Sequence, residues 1–514
     1  MADGWKKYVT FNPRRWARQV LQMRRFVRSY RASSTSAGSN RHFAVVVMPW
    51  LGTAVPWFSI ASGLVLASRG ARVSFVVDTL PFGRERWRFR MILICIGLVL
   101  KALPRQFAIQ EIRKQRRYQP PTGAELELID HLVTLNTIWE LRGETQPEGR
   151  AAYQDHIRPQ ISSAVHAIRG FFEKNQFDCV AVPGGVYGST GVWAWFARSH
   201  QIRCATFDSG GRGLLTLSVD GIASQLHDIP RALSLLKESV QSEDTLTAVR
   251  DAALAEMARR RAGTDRFSSQ VQATSAPDSR FDNSVLLPLN CPWDSAALGL
   301  HQVFDSTVHW VLETVRLVLD KTSAHVIVRQ HPAERFESAR STDDYAELLR
   351  NSFGSNPRVT FVAAADPVNS YDLLEKACVV VVFTSTIGVE AAAQGKIVLT
   401  ASASYYSGLG FVWPASELST YQNSLLDAAA GRYSVTDEMK ADALLCYYLT
   451  QCCNWVASPL SPEGYDDWIQ FSFSDLAAQA GVQLTFSAVY DSVPVSFLKH
   501  LENVKGKFGT MENR

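Results

Sequence analysis

A predicted strand, Ala324–Gln330, contains an apolar run that begins at Val326 and ends on groups that can bind an anion. Arg329 and His331 lie at its end, and Pro332 stops further strand pairing. A histidine in this position can donate a hydrogen bond to a phosphate oxygen or act as an acid near neutral pH. Arg329 adds a permanent charge, although strand alternation can point it away from a ligand.

A second apolar run is followed by the hydroxyl residues Thr384, Ser385 and Thr386 at a predicted strand-to-helix junction. Hydroxyls at such a junction cap the helix, and they can also bond a phosphate beside free backbone N–H groups. A plain helix cap explains the same residues. Glu390, one helical turn further on, suits a pair of ribose hydroxyls, or it merely forms a salt bridge with Lys396 or an arginine.

Alternating strands and helices connect these two motifs and predict a doubly wound α/β domain over residues 281–430. The first motif precedes the second by one strand-helix-strand-helix-strand interval. In an open parallel sheet, ligands collect outside the carboxyl ends of the strands. We therefore predict that both motifs hold one phosphate-bearing ligand.

The N-terminal half shows a similar alternation, which predicts a Rossmann-like domain over residues 41–265. Predicted strands at Phe43–Met48 and Arg72–Asp78 flank a predicted helix, and such an order favours parallel pairing. Residues 84–175 are predicted to be mostly helical. After residue 430 the chain is predicted to form a helical C-terminal segment, residues 431–514.

Two glycine-containing loops, residues 184–190 and 208–213, follow strands of the N-terminal domain and are predicted to face one edge. Glycine permits a positive φ and a close approach of backbone to ligand, although glycine turns are common for purely local reasons. The residues predicted to line a cleft here are Gly52, Gly185, Ser209, Gly210 and Arg212.

Composition indicates a globular protein whose charge is unevenly placed. The 514 residues exceed what one hydrophobic core usually supports, and the net charge is only +4. Ten basic residues and a single acid, Asp3, precede residue 42, so residues 1–40 are predicted to be a basic arm and linker. The folded part has no basic excess, which argues against nucleic-acid binding.

The arm predicts a helix from Pro13 to Tyr30 with apolar residues beside an arginine-rich face. Such a helix can lie on an anionic membrane surface, or it can pack on its own protein. The apolar run Met91–Leu100 is too short to span a bilayer and predicts either a buried helix or a second interfacial contact.

The eight cysteines include no C-x-x-C pair, and several lie in apolar runs, which is typical of reduced thiols in a cytoplasmic protein. The spacing of a structural zinc site is also absent. No Asp-x-Asp lies near a strand end of the C-terminal half, so no dedicated divalent-metal site is predicted.

Four stretches together resemble the bacterial capsule polysaccharide biosynthesis proteins, a group that includes the β-Kdo transferases. They are Arg329–Glu334, Tyr371–Leu374, Thr384–Lys396 and Tyr405–Phe411. The layout is also similar to that of bacterial sialyl- and polysialyltransferases. The resemblance covers residues 286–411 well and the N-terminal half only loosely.

The resemblance implies a GT-B-like fold, with two Rossmann-like doubly wound domains facing a cleft. The nucleotide sugar would bind mainly to the C-terminal domain and the acceptor would enter the cleft. By this resemblance His331 and Ser385 contact the donor phosphate and Glu390 contacts the ribose. The donor would be CMP- or UDP-linked, and no cofactor is expected.

A transferase also needs a base to activate the acceptor hydroxyl, unless the donor leaves with enough assistance. Asp208 is the candidate because it ends a predicted strand, with Arg212 close enough in sequence to hold it ionised or to bind an acidic acceptor. Asp78, at the end of another strand, is the rival. A turn-forming aspartate is the more ordinary interpretation of either residue.

With this resemblance, the sequence predicts a metal-independent glycosyltransferase that moves a sugar from a nucleotide donor to a capsule or surface polysaccharide or glycolipid. A cytoplasmic location is predicted, with the basic arm holding the protein at the inner face of the cytoplasmic membrane. Two alternatives stay open: a sugar-nucleotide epimerase or hydrolase of the same layout, and a non-catalytic polysaccharide-assembly protein.

Overall fold

The computed structural model describes most of the chain. The described residues are 12–30, 41–50, 53–80, 86–115, 119–145, 149–211, 213–239, 242–265 and 279–508. Several predictions fall outside these ranges: residues 1–11 and 31–40 of the predicted basic arm and linker, Gly52 and Arg212.

Strands and helices alternate through most of the described chain. The strands are β1 (His42–Val47), β2 (Arg72–Val77), β3 (Ala108–Glu111), β4 (Cys179–Pro183), β5 (Arg203–Ser209), β6 (Leu214–Ser218), β7 (Ser284–Pro288), β8 (Val326–Arg329), β9 (Val359–Val362), β10 (Ala377–Val382), β11 (Ile397–Thr400), β12 (Trp413–Pro414) and β13 (Val456–Ala457). The helices are α1 (Pro13–Ser29), α2 (Val55–Ser68), α3 (Arg86–Leu100), α4 (Gly123–Leu141), α5 (Arg150–Phe172), α6 (Gly188–Ser199), α7 (Ile229–Ser239), α8 (Glu243–Arg261), α9 (Thr307–Lys321), α10 (Tyr345–Phe353), α11 (Ser370–Lys376), α12 (Ile387–Ala393), α13 (Leu418–Ala429), α14 (Asp437–Tyr447), α15 (Tyr465–Trp468), α16 (Phe473–Ala477), α17 (Ala480–Asp491) and α18 (Val495–Phe508).

The first of two compact units contains the described residues up to Asn136, Ala152–Asp228 and the chain from Cys453. Its sheet has the order β13-β6-β5-β4-β1-β2-β3. Strands β1 to β5 are parallel and follow the Rossmann order 3-2-1-4-5, whereas β6 and β13 pair antiparallel. Strands β1 and β2 are apolar at nearly every position because helices cover both faces of a parallel sheet.

The second unit contains Thr137–Ala151 and Ile229–Cys452. Its six strands are all parallel, in the order β12-β11-β10-β7-β8-β9. Numbered within the unit, this is the complete Rossmann order 3-2-1-4-5-6, and it confirms the predicted doubly wound domain. The order reverses between β7 and β10, so the switch point of this sheet lies between those two strands.

The predicted basic arm contains α1, which packs into the core of the first unit and does not stand apart from it. Trp16, Met23 and Phe26 are at most 4% exposed. The Trp16 ring lies 5.4 Å from that of Trp57, and the Phe26 ring lies 5.5 Å from that of Trp468. The alternative in which this helix packs on its own protein is therefore the one observed.

Two predicted domain boundaries, at residue 265 and at residue 431, need correction. Helices α7 and α8 belong to the second unit, although residues 41–265 were predicted to form one domain. Arg261 of α8 pairs with Glu375, and Lys237 of α7 pairs with Asp442. These long-range ion pairs attach both helices to the second unit.

The predicted C-terminal segment at residues 431–514 is divided between the units. Helix α14 stays with the second unit, whereas the chain from Cys453 returns to the first. Leu460, Trp468 and Phe473 share one hydrophobic cluster with β1 and α1. Burial of these apolar side chains, which sequence position alone does not assign to a partner, places them in the first unit. No helix among the described residues has both the length and the apolar character needed to cross a membrane.

Candidate functional site

The candidate site lies at the carboxyl edge of the sheet in the second unit, around the switch point. Asn290 follows β7, and Thr384 follows β10. The Thr384 backbone N–H donates to Asn290 Oδ1 at 3.2 Å, which ties the two loops together across the point where the strand order reverses. Ligands of open α/β sheets bind in the crevice at this position.

The Thr384 hydroxyl is a buried group of this site that has no hydrogen-bond partner among the described residues. Its side chain is only 8% exposed, and Oγ1 makes no hydrogen bond within the described part of the chain. A buried hydroxyl left unpaired costs about 1–3 kcal/mol, so native structures rarely keep one without a reason. A ligand oxygen entering the crevice would satisfy it.

Ser385 and Thr386 follow at the start of α12 and are partly exposed. Thr386 occupies the N-cap position, but its side chain makes no capping hydrogen bond. The plain-cap interpretation of this hydroxyl therefore does not hold in the structure. The Ser385 carbonyl accepts a hydrogen bond from the buried Tyr406 hydroxyl at 2.9 Å, which holds the strand-to-helix junction in place.

Close packing also explains a glycine in this junction. A Cβ built on Gly388 would lie 2.9 Å from the Tyr406 hydroxyl and 3.0 Å from Val382. The stretch Tyr405–Phe411, which carried part of the family resemblance, thus supports the hydroxyl motif from inside the unit.

His331 follows β8, the next strand after β7 in the sheet, and caps a short 3-10 turn at Pro332–Arg335. Its Nδ1 accepts a hydrogen bond from the Ala333 backbone N–H at 3.2 Å, so the ring proton of the neutral imidazole is on Nε2. No hydrogen bond from Nε2 is found among the described residues. The side chain thus offers one N–H donor from a fixed ring.

Burial, together with the nearby charges of Arg260 and Arg329, lowers the pKa of His331 to about 4. The imidazole is therefore neutral at pH 7. Its Nε2–H can donate a hydrogen bond, but the ring does not carry the second, acidic proton of an imidazolium. Strands β8 and β10 are separated only by β7, which places their ends roughly 10 Å apart. One nucleotide-sized ligand can reach both.

Arg329, predicted to bind the donor, is instead a structural residue, and we correct that assignment. It is 1% exposed, and its guanidinium donates to the carbonyls of Ala363 and Val368 and to the Ser370 hydroxyl. These bonds hold the loop between β9 and α11 in place. The strand alternation noted in the sequence has turned the side chain away from the ligand edge.

Glu390 is 2% exposed and lies beside Arg260 of α8, with Oε1 3.7 Å from Nε. Burial raises the pKa of Glu390 to about 7, although Arg260 and Tyr371 act in the opposite direction. Lys396, the other predicted partner, donates to backbone carbonyls of Glu375 and Ala377 instead. The arginine alternative is thus the one observed, and a ribose contact by Glu390 stays a prediction.

Arg260 was not identified from the sequence. It also donates to the Tyr371 hydroxyl at 3.2 Å and pairs with Asp265 at 3.1 Å. Within the charged helix α8 nothing distinguishes it from Arg259 or Arg261, because two of its partners, Tyr371 and Glu390, lie more than one hundred residues away. Asn290 was also missed, since an asparagine after a strand usually indicates only a turn.

In the first unit, the structure assigns local roles to most of the predicted cleft residues. A Cβ on Gly185 would lie 2.6 Å from Ile222, and one on Gly210 would lie 2.3 Å from Trp455. Gly185 also has φ +102°. Both glycines are therefore required by packing or by backbone conformation, which is the ordinary interpretation that the sequence left open.

Asp208, the predicted base, lies inside β5 and does not end it, because the chain continues into an antiparallel hairpin with β6. Its Oδ1 accepts from the Ser209 backbone N–H at 2.8 Å, and the Ser209 hydroxyl contacts the Gly211 carbonyl at 3.4 Å. The residue is partly exposed, and its role as a base stays a prediction.

Asp78, the rival base, is fully buried at the end of β2. It accepts hydrogen bonds from the Leu80 backbone N–H at 3.1 Å and from Trp193 Nε1 at 3.4 Å. Burial raises the pKa of this carboxyl group. The Leu80 contact is that of a turn-forming aspartate, and the Trp193 contact ties the carboxyl group to α6.

Comparisons with known proteins agree with the sequence resemblance over the second unit. Residues 245–435 match the model of a family described as capsule polysaccharide biosynthesis protein, which confirms the predicted resemblance over these residues. This range includes His331, Thr384, Glu390 and Arg260. No curated protein sequence matches the chain.

Three solved structures illustrate the structural neighbours. KpsC beta Kdo 2,4 transferase of Thermosulfurimonas dismutans is 15% identical, with a TM-score of 0.35, over 52% of this chain and 87% of that chain. The beta Kdo 2,7 transferase of the same organism is 14% identical, with a TM-score of 0.33, over 62% and 89%. UDP-GlcNAc 2-epimerase of Neisseria meningitidis bound to UDP-GlcNAc is 11% identical, with a TM-score of 0.23, over 78% and 94%. The fold assignment rests on the strand order described above.

Proposed function

We propose that the chain is a glycosyltransferase that binds a nucleotide-linked sugar at the carboxyl edge of the sheet in the second unit. The acceptor is a capsule or other surface polysaccharide, or a glycolipid. One observation carries the proposal: the His331 Nε2 donor and the unpaired Thr384 hydroxyl lie at strand ends around the switch point. The match of residues 245–435 to the capsule biosynthesis family supports it.

The chemistry of the edge suits a leaving nucleotide. In the transfer, the acceptor oxygen forms a bond to the anomeric carbon while the bond from that carbon to the phosphate oxygen breaks. The electron pair stays on the phosphate, and a base takes the acceptor proton. Fixed hydrogen-bond donors aimed at the phosphate stabilise the charge that develops there. His331 and Thr384 would supply two of them.

The predicted metal independence belongs to this proposal. The groups at the edge are an imidazole N–H and a hydroxyl, which suit an anion, whereas a Mg²⁺ site uses carboxylates beside the phosphate. CMP- and UDP-linked sugars are the proposed donors. The Arg260 guanidinium adds a positive charge close to the neutral His331.

The decisive experiment replaces His331 with Asn. An Asn side-chain oxygen can still accept the Ala333 N–H and cap the 3-10 turn, whereas the Nε2–H donor is lost. We expect donor turnover to fall by about 10²-fold or more, as when one such donor is removed from an oxyanion site, with the melting temperature nearly unchanged. His309→Asn, on an exposed position of α9, is the matched control.

Turnover is measured as nucleotide release from a panel of CMP-, UDP-, GDP- and CDP-linked sugars, with and without an oligosaccharide acceptor. Unchanged turnover in His331→Asn would contradict the assignment of this site. Donor consumption that needs no acceptor would favour the epimerase or hydrolase alternative. A melting temperature that no nucleotide raises would favour a non-catalytic assembly protein.

A further inference from the structure

Helix α3 exposes a row of large apolar side chains along one side. Trp87 is 59% exposed, Met91 41%, Ile94 56% and Leu98 40%. With 3.6 residues per turn, these four positions fall within an arc of about 60°. We call them the apolar row. Large exposed hydrophobic residues scattered singly are ordinary, but four aligned on one helix form a continuous strip.

The opposite side of α3 is also apolar, and it is fully buried. Ile92, Ile96 and Val99 are 0% exposed and belong to the hydrophobic cluster of the first unit. The core therefore already uses one complete apolar face of the helix. Residues 91–100 of α3 are apolar on both of these faces, and an apolar face requires an apolar environment. Within the described part of the chain only the buried face has one.

Helix α1 packs against α3 and carries a row of cations on its outer side. Arg14, Arg18, Arg25 and Arg28 are exposed and fall within an arc of about 80°, with the 60% exposed Leu21 among them. We call these four arginines the arginine row. Helix α1 contains no acidic residue.

The two rows face outward from the same layer of the first unit. Helix α1 buries Trp16, Met23 and Val27 in the hydrophobic cluster that also contains Ile92 and Ile96 of α3. Each exposed row lies on the side of its helix opposite to these buried residues. Because α1 and α3 pack against each other, the arginine row and the apolar row lie on neighbouring helices.

We propose that the apolar row of α3 and the arginine row of α1 form one docking surface for an anionic lipid bilayer. The apolar residues of α1 are buried in the core. Helix α1 therefore contributes positive charge, and α3 contributes the apolar side chains that insert into the bilayer. Positive charge without any acid on α1 matches a surface of anionic headgroups, and the apolar row matches the acyl boundary below them. This surface does not depend on the proposed glycosyl transfer.

The test is co-sedimentation of the full-length chain with vesicles. Wild type is expected to bind vesicles of phosphatidylethanolamine and phosphatidylglycerol, to bind pure phosphatidylcholine vesicles much more weakly, and to dissociate as salt rises. The double variant Ile94→Asp/Leu98→Asp should lower the partition coefficient by at least about tenfold, because both side chains would have to carry charge into the interface.

A matched control separates this effect from added negative charge in general. Leu126 and Leu254 are each 50% exposed and lie on α4 and α8, helices that carry neither row. Leu126→Asp/Leu254→Asp changes the net charge by the same amount, and we expect it to retain most of the wild-type binding.

The arginine row is tested with Arg14→Gln/Arg18→Gln/Arg25→Gln. Each arginine near an anionic surface contributes about a fivefold factor, so binding to anionic vesicles should fall on the order of 100-fold and lose most of its salt dependence. The matched control removes three exposed arginines elsewhere, Arg158, Arg316 and Arg432, by the same substitution.

Three results would overturn the proposal. The first is the absence of wild type from the pellet of anionic vesicles at every protein concentration tested, and the second is binding of the apolar-row variant equal to that of its control. The third is self-association of wild type in sedimentation velocity that the Asp variants abolish, with no vesicle binding, which would make this surface a protein interface. Nucleotide binding by the same variants is measured separately, so a failure here leaves the transferase proposal intact.

Discussion

Replacing Glu390 with Gln should change how the stability of the second unit depends on pH. Glu390 is 2% exposed, and burial raises its pKa from 4.5 to about 7. Between these two values the folded chain binds more protons at Glu390 than the unfolded chain does. The free energy of unfolding contributed by this group is therefore largest below pH 4.5 and is lost as pH rises to about 7.

The size of this loss follows from the two pKa values. A pKa raised from 4.5 to about 7 corresponds to roughly 3 kcal/mol, to order of magnitude. Glutamine resembles the protonated acid and has no such dependence. The variant should therefore match wild type near pH 4.5 and exceed it by roughly 3 kcal/mol above pH 7.

The assay is the difference in melting temperature between variant and wild type from pH 4.5 to 8. The second unit has roughly 240 residues, a size at which 1 kcal/mol shifts the melting temperature by about 2–4 °C. We expect the difference to grow by about 6–12 °C across this range. Comparing the two proteins at each pH cancels the titration of all other groups.

The control is Glu375→Gln, on the exposed side of the neighbouring helix α11. Arg261 lowers the pKa of Glu375, so that carboxylate is ionised in both the folded and the unfolded chain between pH 5 and 8. The difference between this variant and wild type should therefore be flat over that range. A flat difference for Glu390→Gln as well would refute the reasoning, because Glu390 would then not be a buried acid of raised pKa.

Two substitutions test the corrected roles of predicted site residues. Arg329→Met should destabilise the second unit by about 2–4 kcal/mol, because it leaves buried carbonyl groups unpaired. The rise in melting temperature on adding nucleotide should survive; the original donor-binding prediction would be right if that rise were lost at unchanged stability. Gly210→Ala should lower stability by about 1–3 kcal/mol through overlap with Trp455, whereas Gly97→Ala, with nothing within 4 Å, should raise it slightly. Equal melting temperatures for the two glycine variants would contradict the packing argument.

The fold of the second unit could be predicted because its strands carry a strong local signal. β8 and β10 are almost entirely apolar, and helices with clear ends separate them. β3 was missed because its four residues, Ala108–Glu111, are mostly exposed at the sheet edge and have no apolar run. The hairpin strand β6 was missed because the glycines before it were interpreted as a ligand loop.

The division into units could not be predicted, because it depends on contacts that are distant in sequence. α1 is amphipathic in a way that fits a membrane surface and a protein core equally well. The partner that decides between them, around Trp468 and Phe473, lies more than 400 residues away. Periodicity identifies an apolar face but not what covers it.

The candidate site shows the same limit at the level of single side chains. The sequence identified His331 and Thr384 from their place after apolar strands, and the structure places both at the predicted edge. The sequence could not distinguish them from Arg329, which lies in the same motif but whose side chain turns into the loop before α11. Residue type and spacing predict which groups reach an edge, whereas the hydrogen-bond partners decide which of them remain available.

The two arginines near His331 explain why the available groups suit an anion. Their charges help to keep the imidazole neutral, and the Ala333 N–H holds its acceptor nitrogen, so the remaining ring N–H has no hydrogen-bond partner among the described residues. A bound phosphate would reverse the electrostatic balance, because its negative charge favours the protonated ring. By linkage, an anion that raises the pKa of His331 must bind more tightly as pH falls. Arg260 and Arg329 would thus set the charge of a proposed site whose direct contacts would be made by His331 and Thr384.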